Sequence, residues 1–354
     1  MTADGSKRLN GRTVLVTGAT GFIGSRIVLA AAAEGATVRA LSRSGSLGRL
    51  PEGASAKIIR GNLNQPRSLE QALSGCTDIV NAAFDFLSPA NKQITAFENL
   101  LEAAKSCGAR SFIQVSSIAV YDDWPNGSLT EESTVCGPGS DYKIAKCVME
   151  RLLGNSSIPY TILQPTIVYG AGGWQWTDRP IEELKSGVVI LPDDPRGICH
   201  AVHVDDVAEA AICALALKRQ ENRAYIITGP AAVEWIDLYS GYASLVRSPR
   251  PIFESMGKAP VPQVQSNGSH TLVLTAKKIA RQIFGETGMA TMRQALSKLR
   301  NGSRKQFFRP TGHMLELYRS RGACSIERAQ TELGYVPKID LVEGLNRVRS
   351  AYRL

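Results

Sequence analysis

Thr13-Val-Leu-Val-Thr-Gly-Ala-Thr-Gly-Phe-Ile-Gly24 is the stretch that decides the fold of this 354-residue chain. Residues 13–17 are rich in β-branched side chains and read as a strand, which runs directly into Gly18, Gly21 and Gly24. An alanine-rich helical stretch follows to Gly35, and Thr37-Val-Arg-Ala-Leu41 reads as a second strand. The unit is strand–turn–helix–strand, with its glycines in the first turn. Glycine lets the backbone adopt φ > 0 and approach a pyrophosphate, whose oxygens then meet the free N–H groups of the helix start. The spacing is G-x-x-G-x-x-G rather than G-x-G-x-x-G. Its position between strand and helix gives the triplet its meaning.

Beyond this unit the alternation continues. Residues 56–62, 77–83, 111–117 and 160–166 read as strands, and 68–73, 94–108 and 142–154 as helices. Strands separated by helices of this length predict an α/β fold with a parallel, doubly wound sheet. Ligands bind such sheets beyond the carboxyl ends of the strands. Gly18, Asn62, Ala82, Ser117 and Pro165 all fall at or just past those ends. Within the helix at 142–154, Tyr142 and Lys146 are four residues apart and share one face. A phenol ordinarily titrates near pH ~10, and a fixed cation beside it favours the phenolate. A serine at the end of a neighbouring strand would hold a substrate oxygen against that phenol.

Six motifs occur in one order: TGATGFIG, SSIAVY, YKIAK, LQPTIVYGAGG, HVDDVAEAA and ERAQTELGYVPKIDLVEGL. Together they resemble the extended branch of the short-chain dehydrogenase/reductase superfamily, which includes epimerases, dehydratases, 3β-hydroxysteroid dehydrogenase-like and dihydroflavonol reductase-like members. The resemblance covers most of the chain and implies a Rossmann domain, a nicotinamide cofactor, and Ser117, Tyr142 and Lys146 in catalytic roles. Ser117 is chosen over Ser116 because the family serine precedes the run found here as Ile118-Ala-Val-Tyr121. The implied cofactor site comprises Gly18, Thr20, Gly21, Phe22, Ile23 and Gly24 in the first turn. Ser42, Arg43, Asn62, Leu63, Ala82 and Ala83 follow the next strands, and Tyr142, Lys146, Pro165, Thr166 and Val168 complete it. Trp174 and Trp176 stand where relatives line the substrate cleft, with ordinary packing as the other reading, and Arg196 is a further substrate candidate.

NAD-preferring units of this fold carry an acid at the end of the second strand to bind ribose hydroxyls. Here Ser42 and Arg43 occupy that place, so nothing repels a 2′-phosphate and Arg43 would pair with it. This predicts NADP, with NAD as the alternative. Asn62 replaces the family aspartate beside the adenine. Ile118 and Ala119 replace the Asp-Glu pair of sugar-nucleotide 4,6-dehydratases, and Cys199 replaces the arginine with which epimerases clamp a pyrophosphate. Gln93 stands where relatives often have an asparagine that serves a proton relay. These departures favour an alcohol/carbonyl oxidoreductase. A nucleotide-sugar epimerase and a silent dinucleotide-sensing protein remain as alternatives.

Composition fits a soluble, cytoplasmic enzyme. The N-terminus MTADGSKRLNGR has no apolar core of a signal peptide, and no run approaches the length of a membrane span. The seven cysteines are scattered without a C-x-x-C, which reads as reduced thiols. His200 and His203 lack further ligands at a metal spacing, so no metal is expected and His203 is assigned to a strand-to-helix turn. From residue 241 onward there are 19 Lys/Arg against 7 Asp/Glu. That excess reads as a solvated surface or as a face for an anionic small molecule. No nucleic-acid module accompanies it. The expected organisation is a Rossmann domain at 1–170, a substrate-domain insertion at 171–200, a return to the Rossmann core at 201–230, and a mainly substrate-binding domain at 231–354. Residues 258–275 read as a loop or lid, and the resemblance implies a homodimer formed through the helices at 94–108 and 142–154.

Overall fold

A computed structural model describes residues 7–51, 53–194, 196–256 and 306–354. The segment 258–275 lies outside the described residues. The centre is a seven-stranded parallel sheet of β1 (Thr13–Thr17), β2 (Thr37–Ser42), β3 (Ala56–Arg60), β4 (Asp78–Asn81), β5 (Ser111–Val115), β6 (Tyr160–Pro165) and, joining later in the chain, Arg223–Ile227. With intervening β7 (Ile167–Tyr169), β8 (Gly187–Pro192), β9 (Ile198–Cys199) and β10 (Ala201–His203), that last strand is β11. The spatial order is β11-β6-β5-β4-β1-β2-β3. The chain therefore winds outward from β1 to β3 and returns to β4. The sheet is doubly wound, with its switch point between β1 and β4, as the alternation predicts.

Period-2 alternation explains how the strands hold helices on both faces. Val14 and Val16 enter one core while Leu15 enters the other, and Val80 and Ile79 divide in the same way. The first core contains Ile27, Val28 and Ala31 of α1 (Phe22–Ala33) together with an alanine-rich face of a later helix, Val204–Ala216. Small side chains on both let the two helices approach closely. The second core is filled from α2 (Pro66–Leu73), α3 (Ala90–Ser106) and α4 (Asp141–Gly154). Counting α5 (Arg179–Ser186), the Val204–Ala216 helix is α6. Residues 201–230 contain α6 and β11, and β11 pairs with β6 in the main sheet.

The irregular late segments build a third core. It gathers Ile181, Leu184, Leu191, Trp235, Tyr239, Tyr242 and Tyr318, mostly from α5, β8, α7 (Trp235–Leu245) and α8 (His313–Arg319). Short strands β12 (Val233–Glu234), β13 (Ile252–Glu254) and β14 (Gln306–Phe308) edge it, with β8 between β13 and β14. Helix α9 (Glu327–Leu333) packs on the first core, and α10 (Leu341–Tyr352) contributes Val348 to the third. Among the described residues no helix is long and apolar enough to cross a membrane.

Candidate active site

The glycine turn lies at the switch point, where the carboxyl ends of β1 and β4 are neighbours. Gly18 has φ +62°, and an added Cβ would lie 2.6 Å from Ala82 O, so the loops after β1 and β4 touch backbone to backbone. A Cβ at Gly24 would lie 2.2 Å from Gly18 O, which keeps α1 tight against the turn. No side chain caps α1 and its first turn carries no acid, so nothing competes for an anion at the positive helix end. Phe22 packs against Gly173 and Ile23 against the first core, leaving these two to contribute backbone N–H groups. These features fit a dinucleotide pyrophosphate on Gly18–Gly24.

The rim residues divide. Arg43 is exposed at the head of the loop at 44–49, which folds onto Thr20 through a hydrogen bond from Arg49 N to Thr20 O at 3.3 Å. Ser42, in contrast, is buried and organises that loop: its hydroxyl donates to Ser46 O at 3.0 Å and accepts from Gly45 N at 3.1 Å. Asn62 Oδ1 accepts from Asn64 N at 3.0 Å, and Leu63 O accepts from Asn99 Nδ2 at 2.9 Å. Ala82 and Ala83 line the turn beside Gly18. Pro165 ends β6, Thr166 N and Oγ1 bond to Ile227 O and His200 O, and Val168 sits in β7 beside Val202 of β10.

Ser117, Tyr142 and Lys146 come together. Ser140 caps α4 by accepting from Lys143 N, so the helix starts one residue before Tyr142 and brings Tyr142, Lys146 and Glu150 onto one face. Lys146 is buried and donates to Val115 O at 2.8 Å. Its Nζ lies 5.8 Å from the Tyr142 ring centre and 4.8 Å from that of Phe84. Ser117 faces the phenol, and its Oγ accepts from Ala119 N at 3.2 Å. Burial raises Tyr142 above the ordinary phenol range, and the Ser117 hydroxyl only partly reverses this. Burial also pulls Lys146 down to about 8, against the attraction of Glu150. The expectation that the lysine cation lowers the phenol's range therefore does not hold here. The ammonium is itself desolvated and directed at a backbone carbonyl.

Several functional neighbours have no motif of their own. A buried polar ladder crosses the strand ends: Thr17 donates to Asn81, Asn81 Nδ2 to Gln114 Oε1 at 2.8 Å, and Gln114 Nε2 to Val115 O at 3.0 Å, the carbonyl that holds Lys146. Glu150 takes hydrogen bonds from Ser116 and from Gln164 Nε2 at 3.1 Å, tying α4 to β5 and β6. Its signal was present in the sequence, since Tyr142, Lys146 and Glu150 recur every four residues. Gln93 does not join a relay with the phenol. It clasps the loop after β4, accepting from Asp85 N at 3.3 Å and donating to Asp85 O at 2.5 Å.

The substrate candidates are placed elsewhere. Trp176 packs on Trp235 at 5.3 Å within the third core, Trp174 is exposed, and Arg196 lies over the Phe253 ring at 4.0 Å while pairing with Asp193. Their placement supports the packing reading for Trp176. His203 caps α6 by accepting from Asp205 N at 3.2 Å, and His200 bonds to Gly322 O at 2.7 Å.

Residues 14–228 match the model of the NAD-dependent epimerase/dehydratase family. A sterol demethylase protein B of Methylococcus capsulatus is 31% identical over 180 residues, which are 48% of this chain and 54% of that protein. A 4-hydroxy-2-methyl-3-oxo-4-farnesyl-3,4-dihydroquinoline-1-oxide ketoreductase of Stigmatella aurantiaca is 25% identical over 317 residues, 80% of this chain and 95% of that one. In fold, an epimerase from Methanothermobacter thermautotrophicus superposes with a TM-score of 0.73 at 16% identity, covering 98% of this chain and 94% of that one. The glycine turn, the doubly wound sheet and the family match agree, and the chain belongs to the NAD-dependent epimerase/dehydratase family.

Proposed function

We propose that the protein is an NADP-dependent oxidoreductase acting on an alcohol/carbonyl pair through Ser117, Tyr142 and Lys146. The convergence of these three side chains beside the glycine turn carries the reading. When bound, the nicotinamide supplies or accepts the hydride. Ser117 would donate a hydrogen bond to the substrate oxygen, and Tyr142 would give that oxygen its proton. A phenol whose ionisation burial resists stays protonated at neutral pH, which suits an acid in the reductive direction. One N–H of Lys146 is held by Val115 O, and its remaining donors would hold the nicotinamide ribose. Cys199, fully buried at the clamp position of epimerases, offers no charge to a sugar-linked pyrophosphate. The Stigmatella ketoreductase, matched over most of both chains, supports the same choice.

The test is stoichiometry. Purified protein given NADPH and a carbonyl panel should consume one nicotinamide per alcohol formed. An epimerase would retain its nucleotide without net oxidation, and a sensing protein would bind it without any chemistry.

Two further outcomes are expected. Arg43→Ala removes the charged partner of a 2′-phosphate, a contact of about 1.5–3 kcal/mol. The ratio of kcat/KM for NADPH over NADH should fall by about 10- to 100-fold, because a charge-assisted contact is made to only one of the two cofactors. An unchanged ratio would remove Arg43 from cofactor selection. The pH profile gives the second. Reduction requires both the Tyr142 proton and the Lys146 cation. Tyr142 is shifted upward and Lys146 down to about 8, so the lysine sets the alkaline limit. The reductive rate of wild type should decline as pH rises through that value, and Lys146→Arg, charged throughout, should move the decline to higher pH.

A further inference from the structure

We propose that the loop Phe84–Ser88 is a substrate-selecting platform, on which an aryl group attached to the reacting carbonyl lies against Phe86 and Leu87. This rests on the oxidoreductase reading and names its substrate class. Two rings flank the phenol. Phe84 meets Tyr142 edge-on, with centres 5.0 Å apart at 79°, and Phe86 stacks on Tyr142 at 5.4 Å and 20°. Phe84 and Phe86 are themselves 5.0 Å apart. Phe86 nevertheless remains 77% exposed and Leu87 58% exposed, so an apolar surface continues outward from the phenol into water.

The loop holds these side chains by design of its backbone. Asp85 accepts from Leu87 N at 3.1 Å and from Ser88 Oγ at 2.9 Å, and Gln93 clasps Asp85 from α3. The backbone that presents Phe86 and Leu87 is therefore held in place. The same bonds occupy the loop's own polar side chains, leaving it little to offer the hydroxyls of a sugar. Nearby, Asp122 is taken by Lys143 Nζ at 2.6 Å and Gly137 N at 2.7 Å. A flat apolar group beside the carbonyl gains from stacking and from removing Phe86 and Leu87 from water, whereas a hydroxylated ring would lose hydrogen bonds on the same surface.

The experiment compares two methyl ketones that differ by a phenyl group, acetophenone and acetone, with UDP-glucose as a polar control. For wild type, kcat/KM and calorimetric binding with NADP⁺ present should both favour acetophenone. Phe86→Ala should lower the acetophenone/acetone selectivity at least ~10-fold, chiefly through KM, consistent with loss of one aromatic contact and its buried area. Phe86→Trp should restore it. Equal losses for both ketones, or no change in selectivity, would overturn the platform. Preferred binding of UDP-glucose would overturn it as well. If Phe86→Ala instead converts a dimer to a monomer, the face belongs to a second copy and the proposal fails. Absence of turnover with any carbonyl would remove the oxidoreductase reading. Selective acetophenone binding lost in Phe86→Ala would still uphold the platform in that case.

Discussion

Tyr142→Phe lowers kcat for carbonyl reduction by ~10²–10⁴-fold, the usual contribution of a positioned general acid. The substitution isolates the hydroxyl. Phenylalanine retains the ring that meets Phe84 and Phe86, and of the site's side-chain contacts only the one to Ser117 is lost. Lys146 keeps its bond to Val115 O, and the glycine turn is unaltered. Cofactor KM should therefore change little, and stability should fall by no more than the one hydrogen bond to Ser117, about 0.5–1.5 kcal/mol. Steady-state kinetics with a reduced carbonyl, beside a melting curve, checks both statements. Undiminished kcat would show that the proton comes from elsewhere and would refute the assigned mechanism.

Asp78→Ala has the largest expected effect on stability, about 3–5 kcal/mol, because it leaves a buried guanidinium without its partner. Asp78 is fully buried at the start of β4. Arg12 pairs with it through two hydrogen bonds, one from Nε at 2.6 Å, and also donates to Leu215 O at the end of α6. Ser111 at 2.5 Å and Thr77 at 2.6 Å complete the carboxylate's shell. The cluster thus joins β1, β4, β5 and α6 at the amino-terminal ends of the strands, opposite the glycine turn. Burial alone would raise the Asp78 carboxyl, but Arg12, Ser111 and Thr77 together outweigh it, and the net shift is downward. A folded value below the unfolded one, about 3.9, means the linked stability is present above that pH and is lost as pH falls through the folded value. Denaturation midpoints of wild type and Asp78→Ala should differ fully at neutral pH and converge in acid. Asp78→Asn, which keeps a hydrogen-bonding side chain, should lose less. A neutral-pH difference below ~1 kcal/mol would show that the pair is dispensable, as exposed pairs commonly are.

Much of the candidate site was legible because local rules generate it. A helix places residues four apart on one face, so Tyr142 and Lys146 could be paired from spacing alone. A strand entering glycines and then a helix predicts an anion site for the same kind of reason. The residues that escaped are those whose meaning depends on a distant partner. Gln114 reads as one polar residue in an apolar strand until Asn81 and Val115 O are seen beside it. In the sequence Gln93 is only a departure from an expected relay, and its use as a clasp for Asp85 depends on how the loop after β4 folds back on α3. Ser42 stood at a cofactor position in the sequence, but its hydroxyl is consumed by its own loop. The sequence leaves Trp176 open between cleft lining and packing, and its contact with Trp235, from another element of the third core, favours packing.

By itself the sequence determined the sheet, its winding, the glycine turn and the Tyr142–Lys146 face. These depend on period, residue shape and backbone freedom, which act over a few residues. Only the tertiary structure decided the protonation balance at the site, since burial is a property of the assembled chain. It pushes Tyr142 up and Lys146 down, the reverse of what a bare pair in water would show. Only the tertiary structure, too, set Phe84 and Phe86 around the phenol, because the strand order brings the loop after β4 against α4. Short-range patterning placed the reacting groups; long-range packing set their charge and their surroundings.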